Sequence, residues 1–278
     1  VEANPGALVI TAHAGEVVVM IRGNSDTKVY DGTEYTVTGY VVESISNTLY
    51  TENDFTFSGT AEAKRTRFGK TEMGLKPEKF TNTNTNFTKV TFVVEDGYID
   101  ITKRPLNLVG ETDTKPYTGS PISLDQFTSE NLADGDAVQS ISISYLATGT
   151  MPDEYPGAFT GTPELFNGND DVTDCYEVTL KPGKLPIPKA TEAVVVRIVG
   201  NTKTVTYNGS EQSVTGYTTD VGTKTISVKL NETGKDTAKG TNAGTYPMGL
   251  TAEDFTVTSR NYSNIKVVVK DGWLKIDP

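Results

Sequence analysis

Apolar residues recur at every second position in short stretches along this chain, and each stretch ends in a cluster of Gly, Asp, Asn or Pro. Val90, Phe92 and Val94 fall on one face while Thr91 and Glu95 fall on the other, and Ile265, Val267 and Val269 stand likewise against Lys266 and Lys270. Asp54 to Gly59 shows the same alternation around Phe55 and Phe57. Period two is the mark of a strand with one buried and one wetted face. No stretch carries a sustained helical period. The only helical candidates, Pro77 to Phe80 and Ala252 to Phe255, are one turn long. The pattern predicts six or seven short strands per unit and an all-β chain.

The units are set by self-similarity. Val17 to Tyr40 returns as Val194 to Tyr217 with 14 identities in 24 ungapped positions, and Leu106 to Leu124 is a fainter copy. Met73 to Thr102 returns as Met248 to Asp277, with Met-Gly-Leu at the start and Asp96-Gly97 or Asp271-Gly272 near the end. Repetition of this kind outranks a length prior of about 150 residues per domain. It divides the chain into residues 17–103, a divergent 104–189, and 190–278.

Residues 1–16 read as the remnant of a preceding unit. Pro5-Gly-Ala-Leu-Val-Ile-Thr11 matches the segments that close the three repeats, so Leu8 to Thr11 is expected to be a last strand. Both ends then look like cuts through a longer array. Two strands flanking Asp-Gly are expected to pair as a hairpin, at Asp96-Gly97, at Asp271-Gly272, and in the middle unit between Val178/Leu180 and Leu185/Ile187.

The predicted fold is therefore three tandem immunoglobulin-like β-sandwich repeats. A β-grasp-like module, with a helix packed on a sheet, is the alternative. Joints at Thr102 to Leu106 and Pro188 to Glu192 are short, and Pro105, Pro186 and Pro188 favour extended backbone and limit bending. Strands of about ten residues rise about 3.3 Å per residue, so an elongated rod on the order of 100 Å is expected.

Composition narrows the partners. The net charge of −11, with Lys and Arg scattered, disfavours nucleic acid and anionic membranes. No apolar run is long enough to cross a bilayer, and the first twenty residues lack a signal-peptide pattern. One cysteine, Cys175, allows no intrachain disulfide. Hydrophobic residues make up 36% and charged residues 22%, which suits a soluble protein on the polar side.

Chemistry-bearing residues are few. His13 is the single histidine and lies outside the three repeats, so it reads as a surface residue and not as part of a nucleophilic triad. Cys175, in Thr-Asp-Cys-Tyr-Glu, lacks a basic neighbour and reads as a small buried residue. Asp134-Gly-Asp136 and Asn167-Gly-Asn-Asp-Asp171, with Asp174 beyond, offer oxygens of the kind Ca²⁺ takes. They lack the spaced ligand loop, and turns favour Asp, Asn and Gly for backbone reasons alone. Tyr98 and Trp273 point away from the inward Ile and Leu of their strands and could stack on sugar, although the middle repeat has Lys184 there. No catalytic, cofactor or metal residue is assigned, and the ligand-binding residues, if the chain has any, are unknown.

The closing strand into Thr-Lys-Arg-Pro, a bend, and then Lys28-Val-Tyr-Asp-Gly-Thr33 resembles the Tyr-Asp-Gly-signature, mucin-binding-protein-like (MBG/YDG-type) repeats strung along large bacterial adhesins. The turn recurs as Tyr117-Thr-Gly-Ser120 and Tyr207-Asn-Gly-Ser210. The resemblance covers nearly the whole chain and fails in the middle of the second repeat. It implies an extracellular segment of a wall-attached or secreted parent protein; composition alone fits surface proteins of Gram-positive bacteria and equally a cytosolic protein with one buried Cys. It also raises Lys–Asn isopeptide cross-links, which need spatial neighbours. The expected role is a non-catalytic stalk or spacer, monomeric, whose partners are neighbouring repeats. The alternative is weak multivalent binding of host glycans or mucin-like glycoprotein.

Overall fold

The computed structural model describes residues 6–278. The chain divides into two compact units. The first comprises the described part of Val1–Val109 with Phe127–Ser144 and Thr160–Lys181. The second comprises Gly110–Gln126, Tyr145–Phe159 and Pro182–Pro278. Both are all-β. Among the described residues the only helical pieces are four single 3-10 turns, two of them at Pro77–Lys79 and Ala252–Asp254 where the sequence predicts one turn. The β-grasp alternative therefore lacks its helix.

One three-strand pattern occurs in both units. In the first unit Val17–Gly23 lies between Tyr40–Ile45, antiparallel, and Val90–Glu95, parallel. Arg104–Gly110 stands between Phe127–Glu130 and Tyr176–Lys181 in the same order. In the second unit Val194–Gly200 lies between Tyr217–Asp220 and Ile265–Lys270. The central strand alternates in burial, with Val17, Val19 and Ile21 buried in the first unit and Val196 and Ile198 in the second.

A second layer closes each core. In the first unit Phe55, Phe57 and Phe80, from the pair Phe55–Phe57 and Phe80–Asn82, pack on the inward Val19, Ile21 and Phe92 side. In the second unit Leu274 and Ile276 of Trp273–Asp277 meet Val196, Ile198 and Phe255. Layers facing each other through alternating side chains make a β-sandwich.

Tyr50 sits in the first core, 2% exposed. Its hydroxyl donates to Asn82 Oδ1 at 2.9 Å and to the Asp54 carbonyl at 3.0 Å. Burial, helped by the Asp54 charge, pushes its phenol up to about 12. A phenol raised in the folded state stabilises the fold fully below its unfolded pKa of about 10, and that contribution is lost as pH climbs through the folded value. The first unit is expected to weaken between about pH 10 and 12. Tyr50→Phe should weaken less steeply over that window when urea midpoints are compared with the phenolate absorbance.

Two expectations need correction. The strands on either side of Asp96-Gly97 do not pair as a hairpin. Val90–Glu95 joins Val17–Gly23, whereas Tyr98–Thr102 joins Ser25–Val29 and Gly69–Glu72 in another sheet. Asp271-Gly272 separates Ile265–Lys270 and Trp273–Asp277 in the same way. In the middle repeat Tyr176–Lys181 and Lys184–Ile187 likewise have different partners, and Leu180 is 40% exposed.

The cause is a close crossing of backbones. A Cβ on Gly97 would stand 2.3 Å from the Asn24 carbonyl oxygen, and one on Gly272 would stand 2.4 Å from that of Asn201. Asp-Gly here carries the chain from one layer to the other.

The second correction concerns Leu8 to Thr11, which forms no strand among the described residues: Leu8 and Ile10 are 88% and 84% exposed. A strand needs a hydrogen-bonded neighbour, and among the described residues none lies beside it. Residues 1–5 of the expected remnant are outside the described residues. After the Tyr-Asp-Gly turn the chain forms two strands, Tyr35–Thr38 and Tyr40–Ile45, in separate sheets. Gly39, at φ 83°, makes the break, which side chains rarely allow.

Candidate interaction site

The residues that recur in sequence are engaged in holding backbone. Asp96 receives the amides of Gly74 and Leu75, both at 2.8 Å, while the Met73 amide donates to the Gly97 carbonyl at 2.8 Å. Asp271 does the same for Gly249 and Leu250, at 3.0 and 2.9 Å, with Met248 on the Gly272 carbonyl. Met-Gly-Leu and Asp-Gly, distant in sequence, are thus two halves of one clasp. The side-chain amides of Asn24 and Asn201 donate to the carbonyls of Thr38 and Thr215, fixing the Thr-Gly-Tyr breaks.

In the Tyr-Asp-Gly turn, Asp31 accepts the Thr33 amide at 2.9 Å and the Tyr35 hydroxyl at 2.7 Å. The tyrosine hydroxyl is the first cause holding the Asp31 carboxyl below its usual range. The motif's own Tyr30 is turned inward, 2% exposed, and meets the Tyr176 ring edge-on at 5.5 Å. The Tyr176 hydroxyl donates to Asp136 Oδ2 at 2.5 Å and accepts the Ala133 amide at 3.0 Å. Burial first, then the Asp136 carboxylate, pushes both phenols well above their ordinary value.

Arg104 ties this cluster to the chain by bonding the Tyr30 carbonyl at 3.3 Å and the Asn131 carbonyl at 2.6 Å. Asn131 is the one described non-glycine residue at positive φ, 75°, and its amide donates to the Pro105 carbonyl. A cavity of about 250 Å³ is lined by Tyr30, Arg67, Asn167 and Asp170 among others.

This cluster shows what the acidic and thiol candidates do. Asn167 donates to Asp136 at 2.7 Å, Arg67 pairs with Asp174 at 2.8 Å, and Asp171 accepts the Thr173 amide at 2.9 Å. Asp134 is exposed. Among the described residues no three His, Cys, Asp or Glu side chains converge as metal ligands. Burial raises the Cys175 thiol, and its sulfur accepts the Phe68 amide at 3.5 Å. The other candidates are also engaged. Lys70 sits 3.8 Å from the Tyr98 ring centre, Trp273 is half-buried opposite Pro247, and Lys184 pairs with Glu154.

His13 makes a parallel bridge to Phe87, its amide donating to the Asn86 carbonyl at 2.7 Å, with the rings edge-on at 5.6 Å. Ala190 repeats that bridge in the second unit with Tyr262 and the Asn261 carbonyl. There Tyr117, the turn tyrosine, meets Tyr262 edge-on at 6.0 Å, and the Asn261 side-chain amide donates to its hydroxyl at 3.0 Å. Asn261 is 4% exposed, and its Oδ1 has no partner among the described residues. Lys224, paired with Glu192, lies over the Tyr262 ring at 4.9 Å beside a cavity of about 390 Å³. Sequence reasoning missed these aromatic contacts, because the two rings stand 145 positions apart.

The pairing defines a class: an all-β chain of sandwich modules. No protein-family model matches the chain, and no curated protein matches it. The I9–I11 tandem of titin is similar at 9% identity and a TM-score of 0.20, with 94% of this chain and 98% of that one covered. The N-terminal four immunoglobulin domains of Dscam1 are similar at 12% identity and a TM-score of 0.20, with 93% and 73% covered. Strand pairing, and not these likenesses, carries the description of the fold.

Proposed function

We propose that this chain is a non-catalytic spacer segment of a bacterial surface adhesin, built of tandem β modules and working outside the cell. One observation carries the reading: the recurring polar residues, Asn24, Asp31 and Asp96 with their counterparts Asn201, Asn208 and Asp271, bond to backbone within their own fold. Side chains committed in this way serve folding and leave little directed at a substrate. The Tyr-Asp-Gly and Met-Gly-Leu signatures are consistent with MBG/YDG-type repeats, a relation that supports the extracellular setting.

The test is binding of the whole chain to a glycan array and to immobilised mucin. Silence at high concentration is expected, and saturable binding would overturn the spacer role. The second reading, weak multivalent recognition of sugar, is favoured by the cavity where Tyr117, Tyr262, Lys224 and Glu192 combine aromatic faces with charged donors and acceptors. If that reading held, Tyr262→Ala would abolish the array signal.

A further inference from the structure

The turn tyrosine occurs three times and is docked twice. Tyr30 is 2% exposed against Tyr176, and Tyr117 is half-buried against Tyr262 and Asn261. Tyr207 occupies the same place. Its amide bonds to the Asp277 carbonyl as that of Tyr30 bonds to Thr102 and that of Tyr117 to Pro188. Asn208 caps the Ser210 amide at 3.0 Å as Asp31 caps Thr33. Yet Tyr207 is 50% exposed. The local turn is complete, so the exposure does not come from a different turn conformation.

The opposite half of such a contact is also present. In the second unit the receiving side is the backbone ladder of Ala190 with residues 261–263: Ala190 donates to the Asn261 carbonyl and accepts the Ser263 amide. In the first unit His13 forms that ladder with residues 86–88, donating to Asn86 and accepting from Thr88. Asn86 and Phe87 therefore hold the positions of Asn261 and Tyr262. No turn tyrosine precedes His13 to meet them in this chain. The joint around Tyr30 uses Tyr176 in a shifted register, so an aromatic ring is the shared requirement and the Asn is particular to the longer joint.

We propose that Tyr207 is the docking residue for a further β module of this same kind, joined directly behind Ile276–Asp277, whose Asn–aromatic pair receives the ring as Asn261–Tyr262 receives Tyr117. The proposal rests on the tandem-module reading and deepens it: consecutive modules are locked by an aromatic plug instead of swinging on a linker. Edge-on ring pairs contribute beyond the apolar area they bury, and at the Tyr117 joint a hydrogen bond on the hydroxyl adds to the ring contact.

The test is a head-to-tail fusion in which Asp277 is followed by Ala12 of a second copy. Gly272 and the second Val17 are then eleven residues apart, as Gly183 and Val194 are. Tyrosine nitration is read site by site by peptide mass spectrometry. In the single chain Tyr207 is expected to react while Tyr30 stays protected. In the fusion the two copies yield the same Tyr207 peptide, so its nitrated fraction is expected to fall to about half that of the single chain, the first-copy ring being covered and the second-copy ring still reactive. Phe87→Ala in the second copy should restore the single-chain fraction, with Tyr30 protection in both copies reporting intact folding.

Tyr207 equally reactive in the folded fusion would overturn the docking. So would protection that survives Phe87→Ala. A fusion that fails to protect Tyr207 and binds no glycan leaves the spacer role standing with flexible joints. A protected Tyr207 in a chain that binds mucin keeps the docking and removes the spacer role.

Discussion

Gly272→Ala is expected to destabilise the second unit by about 3 kcal/mol or more, at the upper end of what overpacking costs. The new Cβ would lie 2.4 Å from the Asn201 carbonyl oxygen, 2.7 Å from the Gly200 carbonyl carbon and 2.7 Å from Met248 Sδ. Two of these are backbone atoms held by paired strands, so no rotamer change relieves the contact. Trp273, the single tryptophan, is the next residue and reports on this unit in a urea titration. A lower midpoint at unchanged slope identifies lost stability. Gly209→Ala is the control. Its φ of 77° is unfavourable for a side chain, but nothing lies within 4 Å, and it should cost only about 1–2 kcal/mol. Equal losses at the two glycines would refute the close-crossing explanation.

Asp271→Ala carries the next largest effect, about 2–3 kcal/mol. Its carboxylate holds the Gly249 and Leu250 amides, and bonds to a charged acceptor contribute about 1.5–3 kcal/mol each before solvent screening at the exposed one. Asp271→Asn keeps one carbonyl acceptor and should lose about half as much. Because Asp271 and Gly272 serve one clasp, the double variant should lose less than the two single losses combined. The Trp273 titration measures all three, and strict additivity would mean that the carboxylate and the crossing are independent.

The middle repeat shows which part of the clasp has no substitute. Pro182-Gly183 stands where the others have Asp-Gly, so the carboxylate is gone, and Gly157 donates to the Gly183 carbonyl at 2.9 Å in the role of Met73 and Met248. The glycine stays, since a Cβ there would meet the Glu111 carbonyl oxygen at 2.0 Å. A crossing of two backbones tolerates only the smallest residue, whereas amide donors can find another acceptor.

How much of this was legible beforehand differs between features. The repeats, the all-β character and the inward sets Ile99/Ile101 and Leu274/Ile276 followed from alternation and self-similarity, and the structure buries all four side chains. The Asp-Gly hairpins did not survive, because Asp-Gly serves a tight turn and a crossing between sheets equally well in local terms. Gly97 and Gly272 are absent from the positive-φ glycines that a hairpin turn would require, a feature visible only in the backbone itself. The Asp136–Asn167 pair drew attention as oxygen ligands, yet the fold uses it to seat Tyr176.

From its sequence alone this protein is a set of repeated units with several strands that alternate between a wet and a dry face, since that periodicity is a property of neighbouring residues. Which strand lies beside which was decided only by the tertiary structure. A strand with one apolar face satisfies its pattern in either layer of a sandwich. The choice falls to contacts between distant positions: Gly97 against Asn24, Asp96 beneath Met-Gly-Leu, and Tyr30 and Tyr117 against rings more than a hundred residues away.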